Sequence, residues 1–184
     1  MAGVYLYHSK KPDFVGNRLY PLNAIKDRLP DVYSREVKKY CGREWLLNVT
    51  IPGLNALWND VIHFSLMHPS LIYRSLSKTG FEHHKIAREW FEVPVEDILR
   101  QPAVIYRNTR KDRSSRIYPA AEFELVSEPR VLELSGMPER NLVYYADCFK
   151  EKTYPLLWAF APHVLVKGEL DVAGYRIFDW LEKE

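Results

Sequence analysis

Hydrophobic and polar positions alternate in "GVYLYHSK", which predicts an opening strand from Val4 to His8. The stretch "LWNDVIHFSLMHPSLIYRSL" changes period in its middle. Asp60 to Ser65 reads as a strand. Pro69 then takes the first-turn position of a helix running to about Lys78, with Gly80 as its C-terminal cap. Leu71, Ile72 and Leu76 give that helix an apolar face to lay on a sheet. His63 occupies a strand position where an apolar residue would be the simpler choice. It is either a pocket residue or a core histidine bonded to a backbone carbonyl.

Between these segments, Asn23 is placed to cap a helical piece that Pro30 stops. Val32, Val37 and Tyr40, or Trp45 further on, are spaced for one buried helix face. Later the strands crowd together. "REWFEVPVEDI" predicts a strand ending in a short helix with an acidic start, and "PAVIYRN" predicts a strand over Val104 to Arg107. "IYPAAEFELVSE" predicts a strand over Ala121 to Val126, and "PHVLVKGELDVAGYRIFDWL" closes with one or two strands and a short helix. Helices early and short strands late, with few long crossovers, predict a single α+β domain. Its sheet is curved and mainly antiparallel, and its helices are concentrated in the N-terminal half.

Composition changes this picture little. The 184 residues are 47% hydrophobic and 27% charged, enough for one sizeable core. The apolar runs contain prolines and are too short to span a bilayer. "MAGVYLYHSKK" carries no basic-then-apolar leader, so a cytoplasmic location is expected. Cys41 and Cys148 suit neither a zinc site nor a disulfide scaffold and read as buried small hydrophobes.

The net charge of +2 is small, but its distribution is uneven. "YRNTRKDRSSRIY" holds Arg107, Arg110, Lys111, Arg113 and Arg116 against one acid, Asp112. Such a run can neutralise phosphates of a polyanion, or it can be a solvated connection between strands, exposed from Asn108 to Arg116.

Several chemistries lack their residues. There is no glycine-rich phosphate loop or dinucleotide fingerprint, and no GxSxG elbow. The six histidines include no HExxH or HxH pattern, and no metal is expected. Polar side chains on predicted strands remain: His8, His63, Glu122 and Glu124. Alternation puts Glu122 on the face opposite Phe123, so it faces solvent or a cleft. A buried carboxylate there needs a partner or a ligand.

Three pieces of the sequence, in order, resemble the DarT-type DNA ADP-ribosyltransferase toxins, within the wider ADP-ribosyltransferase fold. "LYHSK" is similar to that family's opening strand, which ends in a histidine that holds NAD. "GREWLLNVTIPGLNALWNDVIHFSLMHPSLIY" resembles the block in which an arginine precedes a glycine-proline loop, an aspartate, a strand and a proline-capped helix. "PAAEFELVSEPRVL" resembles the strand of the catalytic glutamate. The resemblance implies catalytic roles for Glu122 and Arg43. It implies an NAD pocket built from His8, Asp60, His63 and Phe64, and the aromatics Tyr7 and Tyr73 would add a stacking wall.

Breaking the nicotinamide–ribose bond creates a cationic ribose. A fixed carboxylate such as Glu122 can stabilise it or take the acceptor's proton, while Arg43 can pair with a phosphate. The expected activity is therefore a toxin-like, NAD-dependent ADP-ribosyltransferase of the glycosyltransferase class. Its expected acceptor is a base of DNA or RNA, with an antitoxin protein as a further expected partner. One alternative is a non-catalytic module of the same fold that binds nucleic acid or protein. Another is a metal-independent nuclease using His8 and His63. Glu124 and Glu169 are the next carboxylates should Glu122 lie on an open face.

Overall fold

The computed structural model describes residues 3–82, 87–110 and 116–181. Lys111 and Arg113, two of the predicted nucleic-acid contacts, lie outside the described residues.

The chain opens with β1 (Tyr5–Lys10) and the two-residue β2 (Arg18–Leu19). A 3-10 turn, Asn23–Ile25, leads to α1 (Pro30–Glu36) and to two more 3-10 turns, Val37–Tyr40 and Glu44–Asn48. Then come β3 (Thr50–Ile51), β4 (Ala56–Leu57), β5 (Val61–Ser65) and α2 (Pro69–Thr79). The middle of the chain holds β6 (Glu89–Pro94), α3 (Val95–Ile98), β7 (Ala103–Tyr106) and β8 (Phe123–Leu125). It ends with α4 (Glu128–Leu134), α5 (Glu139–Lys150), β9 (His163–Lys167), β10 (Leu170–Asp171) and β11 (Arg176–Asp179).

Among the described residues, seven strands form one sheet in the order β11-β6-β1-β5-β9-β7-β8. Every neighbouring pair in it is antiparallel. The domain is therefore α+β, as the pattern predicts. Alternation along the strands divides the core in two. Leu6, Ile62, Phe64, Phe91, Val93, Ile105, Val164 and Val166 fill one face. On the other face Trp90 and Phe178 meet Ile72 and Leu76 of α2 and Tyr145 of α5. Each such large side chain contributes about 1.5–3 kcal/mol by leaving water.

The proline-led helix is present with its expected ends. His68 Nδ1 accepts from the Ser70 N–H as its N-cap, Pro69 follows, and Gly80 ends it at φ +92°, a conformation that costs glycine little. Pro30 behaves differently from the expectation. It opens α1 instead of stopping a helix, because its missing N–H falls where a first-turn donor is unused anyway. No residue of α1 is buried.

The concentration of helices in the N-terminal half is corrected by α4 and α5. The inward stripe of α5 is Asn141, Tyr145 and Cys148, while Leu142, Val143 and Phe149 on other faces are at least 41% exposed. Its hydrophobic pattern thus points away from the core. The polar stripe is satisfied in place: Asn141 Nδ2 donates to the Tyr145 hydroxyl at 2.8 Å, and the Phe160 N–H donates to Asn141 Oδ1 at 3.1 Å. After β11 no helix is found among the described residues. No helix among them is long and apolar enough to cross a membrane.

Candidate functional site

The centre of the sheet is split. β1 and β6 pair from Tyr5–Pro94 to Lys10–Glu89, and β5 and β9 pair from Val61–Lys167 to Ser65–His163. Between β1 and β5, however, the one pair is Tyr7–Ser65. Beyond that pair no ladder joins the two strands, and their facing edges lack each other as partners. Backbone donors and acceptors in such a gap need side chains, water or a ligand. This unpaired seam, the notch, runs through the middle of the sheet with His8 on its β1 side and His63 on its β5 side, their rings on opposite faces.

Both histidines are half-buried and both answer backbone carbonyls. His8 Nδ1 lies 3.0 Å from the Ser9 carbonyl oxygen, and His63 Nε2 lies 3.0 Å from that of Trp58. A carbonyl only accepts, so these nitrogens carry the protons. His8 Nε2 and His63 Nδ1 then keep free lone pairs. His163, also half-buried, heads β9 beside them, its ring 6.4 Å from that of His63.

Desolvation lowers the pKa of all three rings. His8 falls to about 4, against the raising effect of the Ser9 carbonyl, with Lys39 and Lys11 adding to the fall. His63 falls to about 3, helped by His163, Lys39 and His8. His163 falls to about 4, with a backbone bond to Ala161 acting the other way. All three imidazoles are therefore neutral at pH 7, His8 on the face of Phe64 and His63 with His163 on the other. The Lys39 ammonium pKa is itself lowered by desolvation, which outweighs Glu36.

The other predicted residues are more scattered. Phe64 is fully buried, and its ring meets His8 edge-on at 5.5 Å. Tyr7, in the last paired row, packs on His68 and Phe178 at 5.0 and 5.9 Å. Tyr73 on α2 packs against Trp180 at 4.5 Å. Asp60 holds the turn before β5, accepting from Asn23 Nδ2 at 2.7 Å and from the Leu57 N–H at 2.8 Å. Arg43 is exposed and donates to the Lys39 carbonyl at 2.9 Å.

Glu122 lies at the far edge of the sheet. It ends a 3-10 turn ahead of β8 instead of standing in a longer strand, and it is 8% exposed. Its two oxygens accept from the Thr109 N–H and hydroxyl, each at 2.7 Å. β8 is three strand spacings from β5, roughly 14 Å at ~4.8 Å per spacing. The structure thus brings His8 against Phe64 and puts His63 on the opposite face with Trp58 and His163, while Glu122 stands at the far edge of the sheet. Glu124 pairs with Arg130 and Glu169 with Arg18.

The sequence reading missed His163. Its only local signal is a polar ring at the head of "HVLVK"; its neighbourhood with His63 depends on the pairing of β5 with β9.

The basic segment is tied down where it is described. Asn108, expected to be exposed, is 8% exposed. Its side-chain amide donates to the Ala159 and Ala161 carbonyls at 2.9 and 3.0 Å and accepts from the Tyr106 hydroxyl at 3.1 Å. Arg107 bonds the Ala121 carbonyl. The Arg110 guanidinium sits 3.8 Å from the Tyr118 ring centre, and that of Arg116 sits 5.9 Å from Trp45. These rings continue to the notch: Trp45–Tyr118 at 6.2 Å, Tyr118–Trp58 at 5.2 Å and Trp58–His63 at 4.9 Å. An unbroken line of aromatic rings joins the notch to the basic segment. Compared with known proteins, the chain matches no protein-family model, no curated protein and no solved structure.

Proposed function

We propose that the protein is an NAD-dependent ADP-ribosyltransferase whose dinucleotide enters the notch between β1 and β5. One observation carries the reading: His8 and His63, which the resemblance puts beside NAD, flank the gap that opens after Tyr7–Ser65. Neutral imidazoles with free lone pairs can hold ribose hydroxyls. Lys39, whose charge both rings sense, can oppose a phosphate, and Trp58 offers a face for a flat ring. In the reaction the nicotinamide–ribose bond breaks, nicotinamide leaves with the electron pair, and the acceptor's nucleophile bonds the ribose carbon. The acceptor's proton passes to an imidazole lone pair and on to water.

The acceptor proposed is a nucleic-acid base, delivered along the Trp45–Tyr118–Trp58 rings. Bases stack on such rings, and the arginines above them favour a phosphate backbone. The same Arg110–Tyr118 contact favours a second reading, a module that binds nucleic acid without chemistry.

Calorimetric titration with NAD, followed by assay of nicotinamide release with single-stranded oligonucleotides, tests both. The transferase reading expects binding and release, both lost in His8→Ala and His63→Ala. Oligonucleotide binding with no NAD bound or consumed leaves the second reading. Glu122→Gln is a separate arm. A loss of transfer with NAD binding retained assigns the carboxylate to the chemistry despite its distance.

A further inference from the structure

The segment between β2 and β3 is attached to the rest of the protein in an unusual way. At its start the Asn23 N–H donates to the Asn59 carbonyl at 3.1 Å, and at its end the Trp58 N–H donates to the Val49 carbonyl at 2.9 Å. Both feet therefore stand on the same two residues, just ahead of β5. Between them, the loop and turn backbone bonds of residues 24–48 among the described residues run within the segment or to Pro21, Leu22, Asn23 and Val49 beside it.

Its packing is centred on itself but not closed. Leu22, Ile25, Tyr40 and Leu46 form a small cluster that meets the rest of the protein through Trp58 and Tyr118, and no residue of α1 is fully buried. Two ion pairs hold its outer side to the turn after β1: Arg35 to Asp13 at 2.7 Å and Lys11 to Glu36 at 3.6 Å. Those two pairs line an open groove of about 530 Å³ that also contains Lys39.

We propose that residues 24–48 form a lid over the notch, hinged at Trp58–Asn59 and latched by the Arg35–Asp13 and Lys11–Glu36 pairs. The proposal rests on the notch being the site, since its use is to admit and enclose the ligand there. Three features support it. The segment bridges one end of the notch, since its feet stand just ahead of β5 and its latch meets the turn just after the antiparallel β1. Its feet are adjacent, so it can move as a unit by giving up its contacts with Tyr118 and Trp58 while every sheet ladder stays intact. Its latch is made of surface charges, exposed at Lys11, Arg35 and Asp13 and half-buried at Glu36, which open at little cost and are screened by salt. The latched helix α1 has no fully buried residue, and elements of that kind open below the global unfolding limit; closure of a lid excludes water from a reacting centre.

Hydrogen exchange by mass spectrometry on the full chain, without ligand, tests the lid directly. Amides of 24–48 are expected to exchange at least about tenfold faster than those of β5 and β9. The Asp13→Asn/Glu36→Gln variant should speed them several-fold more and leave β5 and β9 unchanged. Modification of His63 by diethylpyrocarbonate, located by peptide mass, should rise in parallel. The proposal is overturned if 24–48 exchanges together with the sheet. It is equally overturned if the variant leaves exchange unaltered, or speeds it without exposing His63. Adding NAD separates the two ideas. Slower exchange of 24–48 supports both. No effect of NAD, with the unlatched variant behaving as stated, removes the dinucleotide and keeps the lid.

Discussion

Tyr7 and Ser65 face each other across β1 and β5 as the one paired row between those strands, and everything distinctive about the site follows from the parting beyond them. Ser65 is the last residue of β5. Ser65 Oγ donates to the Met67 carbonyl and accepts from the Trp158 indole. On the open side lie His8 and His63. If the notch takes a dinucleotide, His63→Ala should raise the Kd for NAD by roughly 10-fold or more, the loss of one or two hydrogen bonds at about 1.4 kcal/mol per decade. Tyr73→Phe, whose ring packs on Trp180, should leave it unchanged. Calorimetry on the two variants decides it, and equal affinities would sink the assignment.

Acid should weaken the fold through the same histidines. Their folded pKa values lie at about 3 to 4, below the ordinary 6.5, so the unfolded chain binds more protons between those limits. Stability is then full above pH 6.5 and falls as pH drops from 6.5 toward 4. Urea denaturation at pH 7 and pH 5 should show a loss at the lower pH. That loss should shrink in His163→Gln, which removes one of the linked protonations.

Asn108 should matter as much to folding as a large core residue. Its amide answers two buried carbonyls and a buried tyrosine hydroxyl, from a left-handed φ of +56° that asparagine tolerates. Asn108→Ala leaves those groups unanswered and should cost about 2–4 kcal/mol. A change in urea midpoint no larger than that of an exposed-site control would contradict this.

For Glu122 the structural expectation is separable from the catalytic one. Glutamine offers Thr109 one acceptor where glutamate offers two, so Glu122→Gln should lower stability by about 1–3 kcal/mol. NAD affinity should hold, because the carboxylate is three strands from β5. Thermal melts with and without NAD read both quantities at once.

Ile72 on α2 gives a plain packing measure. It is fully buried between helix and sheet, and Ile72→Ala should cost about 2–5 kcal/mol through lost transfer energy and the cavity left behind. Denaturant midpoints at constant m-value check it.

Local rules written into the sequence determined a good part of this protein. Alternation in "VYLYH" and "DVIHFS" set strands near their observed bounds, because period two suits only a pleated chain with one face buried. Pro69 and Gly80 fixed both ends of α2, because each is favoured by backbone sterics that need no tertiary partner. The polar rings at His8 and His63 could be singled out for the same reason: they interrupt an apolar strand face. Tertiary structure alone decided the rest. The helix α5 was hidden because its buried stripe holds, beside Cys148, Asn141 and Tyr145, whose polar groups are satisfied in burial by each other and by partners brought in from Leu157 and Phe160. Glu122 looked free to face a cleft until Thr109, thirteen residues earlier, took both its oxygens. His163 joined His63 only through the pairing of β9 with β5, a contact between segments 100 residues apart that no local period encodes. The notch itself arises from strands that stop pairing, and where a ladder ends is set by what packs around it, not by the residues of either strand alone.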